Sequence, residues 1–395
     1  MSARRRRFPG GNSGSTMSFF SNRDINRLAY HAALVSLAWS IAGIFFTVFL
    51  LRTGLPPAQI FLATAAILAF RFALRPVVLT AVSAIGMRRT LVMGTFLSAF
   101  QFPAIALVHG LDWALLAFCA ISSISQVFYW TCYHAYFGSL GDSEHRGKQL
   151  GARQALGALA GVLGPAVGGI MLTSFGPWLA FGAAFVIQIA AIFPLLHVKE
   201  PKIQTPAPPG AFAAAKLGIQ LFFTDGWMQS GAGVAWSIVM FQALDRRYDS
   251  FGGALAVAAL VGAVGGMVLG RFMDMGHARR SVWLNAGILG LSFVLKAVCG
   301  DSPIAVVAVA VATALFSGLY VPYWMTAVYN AGKRAPCTFR FHFAAEGGWD
   351  AGGVFACLVG AAVCAAGLPL EAVILLALPI VAVQGALLDA SYAPG

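Results

Sequence analysis

The chain has 395 residues, of which 59% are hydrophobic and only 10% are charged. Soluble domains carry about 25% charged residues, so this composition excludes an ordinary soluble protein. The net charge of +12 does not indicate nucleic-acid binding, because the basic residues form short clusters between apolar runs, as they do in membrane proteins. We therefore expect a lipid bilayer, and not nucleic acid, around the chain.

Twelve apolar runs follow one another along the chain. A helix of about 20 residues crosses the hydrocarbon core of a bilayer, and each run is close to that length. The pattern predicts an all-α membrane protein with twelve transmembrane helices. The runs are 30–51, 57–78, 90–109, 112–137, 150–173, 177–197, 219–244, 251–270, 281–299, 302–327, 340–366 and 369–388.

The basic residues predict the orientation of these helices. If the N-terminus is cytoplasmic, 22 of the 26 lysines and arginines fall in cytoplasmic segments or just inside helix ends on that side, Arg71 and Arg75 included. Such a bias fixes the orientation of membrane proteins. We expect a multi-pass protein of the cell inner membrane with both termini in the cytoplasm.

A proline-rich polar stretch from Lys199 to Gly210 separates the first six runs from the last six. This composition is typical of a semi-rigid linker. The predicted domains are a cytoplasmic tail (1–29), a first six-helix bundle (30–198), a cytoplasmic linker (199–216), a second six-helix bundle (217–388) and a short C-terminal tail (389–395).

Three short sequences of the first half recur in the second half, in the same order and at a nearly constant distance. A fixed period indicates duplication, and an offset of six helices gives both copies the same direction in the membrane. We therefore expect two pseudo-symmetric bundles. The pairs are Ala38-Trp39-Ser40-Ile41 with Ala235-Trp236-Ser237-Ile238, Arg88-Arg89-Thr90 with Arg279-Arg280-Ser281, and Tyr129-Trp130-Thr131 with Tyr323-Trp324-Met325.

The loop between the eighth and ninth runs has a glycine, an aspartate four residues later and paired arginines. Together with the duplicated halves, this loop resembles the major facilitator superfamily over about residues 20–390, and bacterial drug/proton antiporters in particular. The resemblance implies that these residues govern conformational change. They are Gly270, Asp274, Arg279 and Arg280, with Gly86, Arg88 and Arg89 in the first-half copy, where Ser83 replaces the aspartate and Leu79 the first glycine.

Run five contains Gly164, Pro165, Gly168 and Gly169, which is similar to the antiporter motif of the same family. Proline bends a membrane helix, and small residues let helices approach closely. Ordinary helix packing would also account for these residues. The resemblance favours an exchanger that expels its substrate.

The resemblance also implies a central cavity lined by the first, fourth, seventh and tenth helices. Aromatic side chains with a polar handle suit an amphipathic or cationic organic substrate, although an aromatic belt at the membrane surface is the alternative. His134 lies near a cytoplasmic helix end, where we expect it in that belt. Asp225 is a candidate to bind a cation or a proton, but we expect it to be a helix N-cap at the cytoplasmic edge. The candidate cavity residues are Trp39, Gln126, Tyr129, Trp130, Trp236, Tyr320, Tyr323 and Trp324.

Run eleven places His342, Glu346 and Asp350 on one helical stripe. Ionisable groups inside a membrane are costly unless they are paired or hydrated, so they are functional candidates. A carboxyl group away from water binds a proton more readily, which makes Glu346 or Asp350 the candidate for proton coupling. Arg71 and Arg75 share a face of run two, which the resemblance places opposite run eleven. We expect a gate in which Arg71 pairs with Glu346, with Arg75 near His342.

No metal-ligand cluster, phosphate-binding loop or catalytic motif occurs in the sequence, so we expect no enzyme, no cofactor and no metal site. The sequence predicts a monomeric secondary transporter that moves a small organic molecule by alternating access, with proton-coupled efflux as the first hypothesis. Uptake by symport or uniport is the alternative within transport. A non-transporting receptor or assembly factor is the alternative from another class.

Overall fold

A computed structural model describes residues 23–140, 146–201, 207–273 and 278–391, and their side chains except at 138–140, 146–156, 266–273, 278–281, 316–319 and 321–323. These residues form seventeen α-helices, two short 3-10 helices and one π-helical turn, with no strand in the described ranges. Breaks within apolar segments divide five of the spans into two helices each, so the seventeen helices make twelve spans.

The helices of the first six spans are α1 (Arg23–Ile41), α2 (Phe46–Arg52), α3 (Pro57–Ile85), α4 (Met87–Ala99), α5 (Gln101–Ala106), α6 (Trp113–Leu140), α7 (Arg146–Ser174), α8 (Pro177–Ala190) and α9 (Ile192–Leu195). Those of the last six spans are α10 (Lys216–Trp227), α11 (Gly233–Ala243), α12 (Tyr248–Met273), α13 (Ala278–Val298), α14 (Pro303–Arg334), α15 (Thr338–Ala365), α16 (Leu370–Leu375) and α17 (Ala377–Ser391).

Hydropathy agrees with a membrane location for this bundle. Within the described ranges, eight helical segments are long and apolar enough to cross a membrane, and Val282–Val298 and Pro303–Leu315 are shorter apolar helices. The prediction of an all-helical membrane fold with two six-span halves is confirmed.

Several helices extend beyond the ends that the apolar runs predict. α1 begins at Arg23, inside the segment predicted as a tail, and α3 continues through Pro76 to Ile85 instead of ending at 78. Arg71 is therefore about four turns from the end of α3, and not about two. Arg71 and Arg75 are buried well inside the bundle, so counting them among the basic residues just inside the cytoplasmic helix ends was wrong.

Gly86 joins α3 to α4 on the side of the bundle where residues 199–201 and 207–215 lie, which we call the linker side. Its φ of +87° is a conformation that favours glycine. The carboxylate of Glu200 accepts hydrogen bonds from the backbone N–H groups of Met87 (2.5 Å) and Arg88 (3.2 Å) at the start of α4. A linker residue thus supplies the acid that the first-half motif lacks.

The arginines of the two motif copies differ in what the structure describes. In the first half, the Arg88 side chain donates to the carbonyls of Leu196 and Val198 at 3.2 Å, while Arg89 is exposed. In the second half, Asp274 lies outside the described residues, and only the helical backbone is described at Gly270, Arg279 and Arg280. The role of this motif in conformational change stays a prediction.

The run-five motif lies where α7 crosses two other helices at short distance. A Cβ atom added to Gly252 of α12 would overlap the carbonyl oxygen of Pro165, and one added to Gly169 would overlap that of Tyr248. On another face of α7, Gly164 and Gly168 lie against Ser40 and Ile41 of α1. Close packing between and within the halves depends on these glycines, whereas their role in exchange stays a prediction.

We expect Gly252→Ala to destabilise the protein. The added methyl group has to displace the backbone at Pro165, and overpacking of this kind costs about 1–3 kcal/mol. Gly253→Ala is the matched control, because a Cβ atom there has nothing within 4 Å and alanine favours helix. Thermal unfolding in detergent should give a lower midpoint for Gly252→Ala only. Equal midpoints for the two variants would contradict the close crossing of α7 and α12.

Candidate functional site

A cavity of about 690 Å³ lies between the two halves. Small organic molecules bind in pockets of about 300–1,000 Å³ that combine apolar walls with a few polar groups. On the side away from the linker, the halves meet where Phe45 packs edge to face against Tyr248 and Phe251. The wall contains the rings of Trp39, Trp130, Phe222, Trp324, Tyr329 and Trp349, the ionisable groups of Arg71, His134, Asp225 and Glu346, and the uncharged polar groups of Ser36, Gln126, Gln229 and Thr326.

Four of the eight predicted cavity residues line this cavity, namely Trp39, Gln126, Trp130 and Trp324. Gln126 and Trp130 are one turn apart on α6, so they share a face as their spacing predicts. The Gln126 amide oxygen accepts a hydrogen bond from Arg71 at 3.1 Å. The side chain of a fifth predicted residue, Tyr323, lies outside the described residues.

The other three predicted residues lie behind the cavity wall, so their assignment to it was wrong. Tyr129 is buried against the stacked ring of Tyr133. Tyr320 is buried and donates a hydrogen bond to Gln384 at 2.6 Å, and Trp236 is buried with Lys296 over its ring at 5.5 Å. Their side chains are directed toward neighbouring helices of their own half, a direction that membership of a cavity-lining helix does not determine.

A buried ion cluster lies beside the cavity, near the middle of α3. Asp350 of α15 binds Arg71 through one carboxylate oxygen and Arg75 through the other, and both arginines belong to α3. The Asp350 side chain is 0% exposed, so the charges compensate one another without bulk water. Arg75 also donates to the Thr131 hydroxyl at 3.0 Å. Because α3 and α15 belong to different halves, this cluster connects the two halves.

The predicted pairing of Arg71 with Glu346 is wrong, and the partner is Asp350. The error follows from the length of α3, because an end at Ile85 places Arg71 about two turns deeper than an end at 78. At that depth Arg71 is level with Asp350, which lies about three turns after the start of α15.

Glu346 lines the cavity and contacts the opposite half through a histidine. Its Oε1 lies 3.4 Å from His134 Nε2 of α6, and His134 Nδ1 lies 3.1 Å from the Tyr329 hydroxyl of α14. His342 stacks on His134 with ring centroids 6.1 Å apart, and neither of its ring nitrogens has a hydrogen-bond partner among the residues that the structure describes. His134, which we expected in a surface belt, is instead part of this contact between the halves.

Asp225 also lies in the cavity wall, and its assignment as a helix N-cap was wrong. α10 begins at Lys216, so Asp225 is in the third turn and not at the helix start. Its carboxylate accepts a hydrogen bond from Trp349 Nε1 at 3.0 Å. A π-helical turn, Met228–Ala232, follows it, and such turns are frequent at functional sites.

Trp349 lies between the ion cluster and Asp225. Its ring lies under the Arg71 guanidinium at 4.8 Å, while its Nε1–H donates to Asp225. Trp349 is not among the predicted site residues, although its position next to Asp350 on the same helix was a signal. In the described part of the chain, no group of three or more His, Cys, Asp or Glu side chains could hold a metal ion.

We expect Asp350→Asn to lower the stability of the protein strongly. The substitution leaves two buried guanidinium groups without their anion, and breaking a buried ion pair in this way costs about 3–5 kcal/mol. Asp249→Asn is the matched control, because its pair with Arg247 is exposed and surface pairs contribute little. Thermal unfolding in detergent measures both variants. The structural role of Asp350 is contradicted if both variants unfold at the same temperature.

Comparisons with known proteins identify the family. A model of the Major Facilitator Superfamily matches residues 28–339. Similar solved structures are those of the nucleoside transporter NupG (12% identity, TM-score 0.66, 93% of this chain and 100% of that one), the human organic anion transporter MFSD10 (16%, 0.63, 93% and 99%) and the E. coli fucose:proton symporter FucP (13%, 0.63, 94% and 98%). No curated protein matches the sequence. Because the family model covers more than half of the residues, the chain belongs to the Major Facilitator Superfamily.

Proposed function

We propose that this chain is a proton-coupled secondary transporter of a small organic molecule and that Glu346 carries the proton. Transport fits the family, whose members move small molecules and are not enzymes. The cavity is lined by both halves of one chain, so a monomer contains the whole site. Alternating access then requires the contacts between the halves on one side of the cavity to open while those on the other side hold.

The contact of Glu346 with His134 is the observation that carries the proposal. Glu346 lines the cavity, where it meets water or substrate, and its polar contact within the described part of the chain is with a residue of the other half. A change in the charge of this carboxyl group therefore acts directly on the interface between the halves. Asp350 is less suited to carry the proton, because both of its oxygens are held by arginines.

The balance of charges gives the direction of the effect. Arg71 and Arg75 carry two positive charges, which the carboxylates of Asp350 and Glu346 balance, and all four act on one another electrostatically. A proton on Glu346 leaves Asp350 as the one carboxylate beside the two arginines at the contact between the halves, since the Trp349 ring separates Asp225 from them, and positive charge that is poorly compensated there is costly. Protonation therefore weakens the closed arrangement of α3, α6 and α15 and favours opening on the linker side.

Export is the direction that we favour, because the glycine and proline pattern of α7 resembles that of antiporters. Uptake by symport is the second candidate function, since a protein described as a fucose:proton symporter has the same fold. Both candidates use the same carboxyl group and differ in the order in which proton and substrate leave the cavity. An inner-membrane location with both termini in the cytoplasm is part of the proposal, and the one-sided distribution of the basic residues in the sequence supports it.

We expect Glu346→Gln to uncouple proton movement from substrate movement. Glutamine keeps the size of the side chain but cannot carry the proton. The assay uses proteoliposomes that contain a pH dye and a panel of amphipathic compounds. With wild-type protein the dye should report proton movement when a compound is transported, and with Glu346→Gln it should report no proton movement. Exchange of labelled for unlabelled compound, which needs no net proton movement, should continue.

Glu371→Gln is the control, because this carboxyl group lies in the first turn of α16 and outside the cavity. It should behave as wild type in both assays. Proton movement at the wild-type rate in Glu346→Gln would refute the role of Glu346. Transport by the wild type without any proton movement would refute proton coupling itself.

A further inference from the structure

Asp225 differs from the other carboxylates of the site because its known partners are neutral. Trp349 donates to it from Nε1 at 3.0 Å, and the neutral side chain of Gln229, four residues later, lines the cavity with it. No salt bridge to Asp225 occurs among the described residues. Neutral donors hold a carboxylate in place without cancelling its charge.

The ionisable side chains around the cavity also sum to a negative charge. Asp350, Glu346 and Asp225 are three acids, whereas Arg71 and Arg75 are two bases, so the ionised site has one negative charge in excess when histidine is neutral. Both arginines are already bound to Asp350, and the Trp349 ring lies between Arg71 and Asp225. The excess negative charge therefore lies on the Asp225 side of the cavity.

Aromatic rings surround this side of the cavity. Phe222 and Trp324 pack edge to face, with ring centroids 5.3 Å apart, and both line the cavity together with Asp225 and Trp349. The faces of aromatic rings attract cations, and a carboxylate beside them supplies the counter-charge. An anion placed here would face the unpaired carboxylate and the negative ring faces.

We propose that the substrate is an organic cation with an apolar or aromatic body, and that Asp225 is its counter-ion. This inference rests on the proposed transport function and deepens it. The cationic group binds Asp225, and the body of the molecule lies against Phe222, Trp324 and Trp349. The positive charge of the bound substrate then balances the negative charge of Asp225.

Calorimetric titration of purified protein in detergent, with empty micelles as the blank, tests this proposal. The probes are the cations tetraphenylphosphonium, ethidium and tryptamine, and the anions tetraphenylborate and indole-3-acetate, which match two of them in shape. Wild-type protein should bind at least one cation at least about ten-fold more tightly than its anionic match. Asp225→Asn should lose that cation affinity by at least about ten-fold, and Asp225→Glu should retain most of it.

Asp301→Asn is the control for removing a negative charge, because Asp301 is exposed in a loop between α13 and α14. It should bind as wild type, and gel filtration of all variants checks that they are folded. The proposal is overturned if no cation binds to the wild type, if the anions bind as tightly, or if Asp225→Asn keeps its cation affinity. Proton-coupled transport of a neutral or anionic compound that is lost in Glu346→Gln would overturn this inference and leave the proposed function intact.

Discussion

Two buried arginines that share one buried aspartate determine how the two halves of this protein meet. Neither Arg71 nor Arg75 could remain at its depth in the membrane without an anion, and among the described residues Asp350 pairs with these two cations alone. The cluster therefore requires α3 and α15 to lie side by side. Paired glycines of α15 make this possible, because Gly348 and Gly352 lie against the backbone of α10, while Gly347 and Gly353 face α3.

Trp349 joins the ion cluster to the cavity. One indole ring contacts Arg71 through its face and Asp225 through its Nε1–H, so a molecule bound at Asp225 is one side chain away from the contact between the halves. Glu346 lies on the same helix and reaches His134 of the first half. The groups that we propose for substrate and proton are thus both within reach of the interface that has to open, which is the arrangement that coupled transport requires.

The sequence was sufficient for the fold and for the helices of the site. Apolar runs and a repeated pattern predict twelve spans in two halves, because helix length and burial in lipid leave few alternatives. It was insufficient for the partners of the charged residues. The apolar run of α3 ends at 78 although the helix continues to Ile85, and this error of about two turns assigned Arg71 to the wrong carboxylate. The predicted N-cap role of Asp225 failed because α10 begins at Lys216, so Asp225 lies inside the helix. Tyr129 shows that the position of a helix beside the cavity does not determine which way a ring on that helix points.

The distance between the two halves on the linker side tests the central claim most directly. Spin labels can be placed on the exposed positions Arg89 of α4 and Lys333 of α14 by unnatural amino acids, so that all six cysteines stay in place. Pulsed electron paramagnetic resonance in lipid nanodiscs then compares this labelled protein with its Asp350→Asn variant. If the ion cluster holds the halves together, the variant gains a population at longer distance. An unchanged distance distribution in a folded variant would contradict the account.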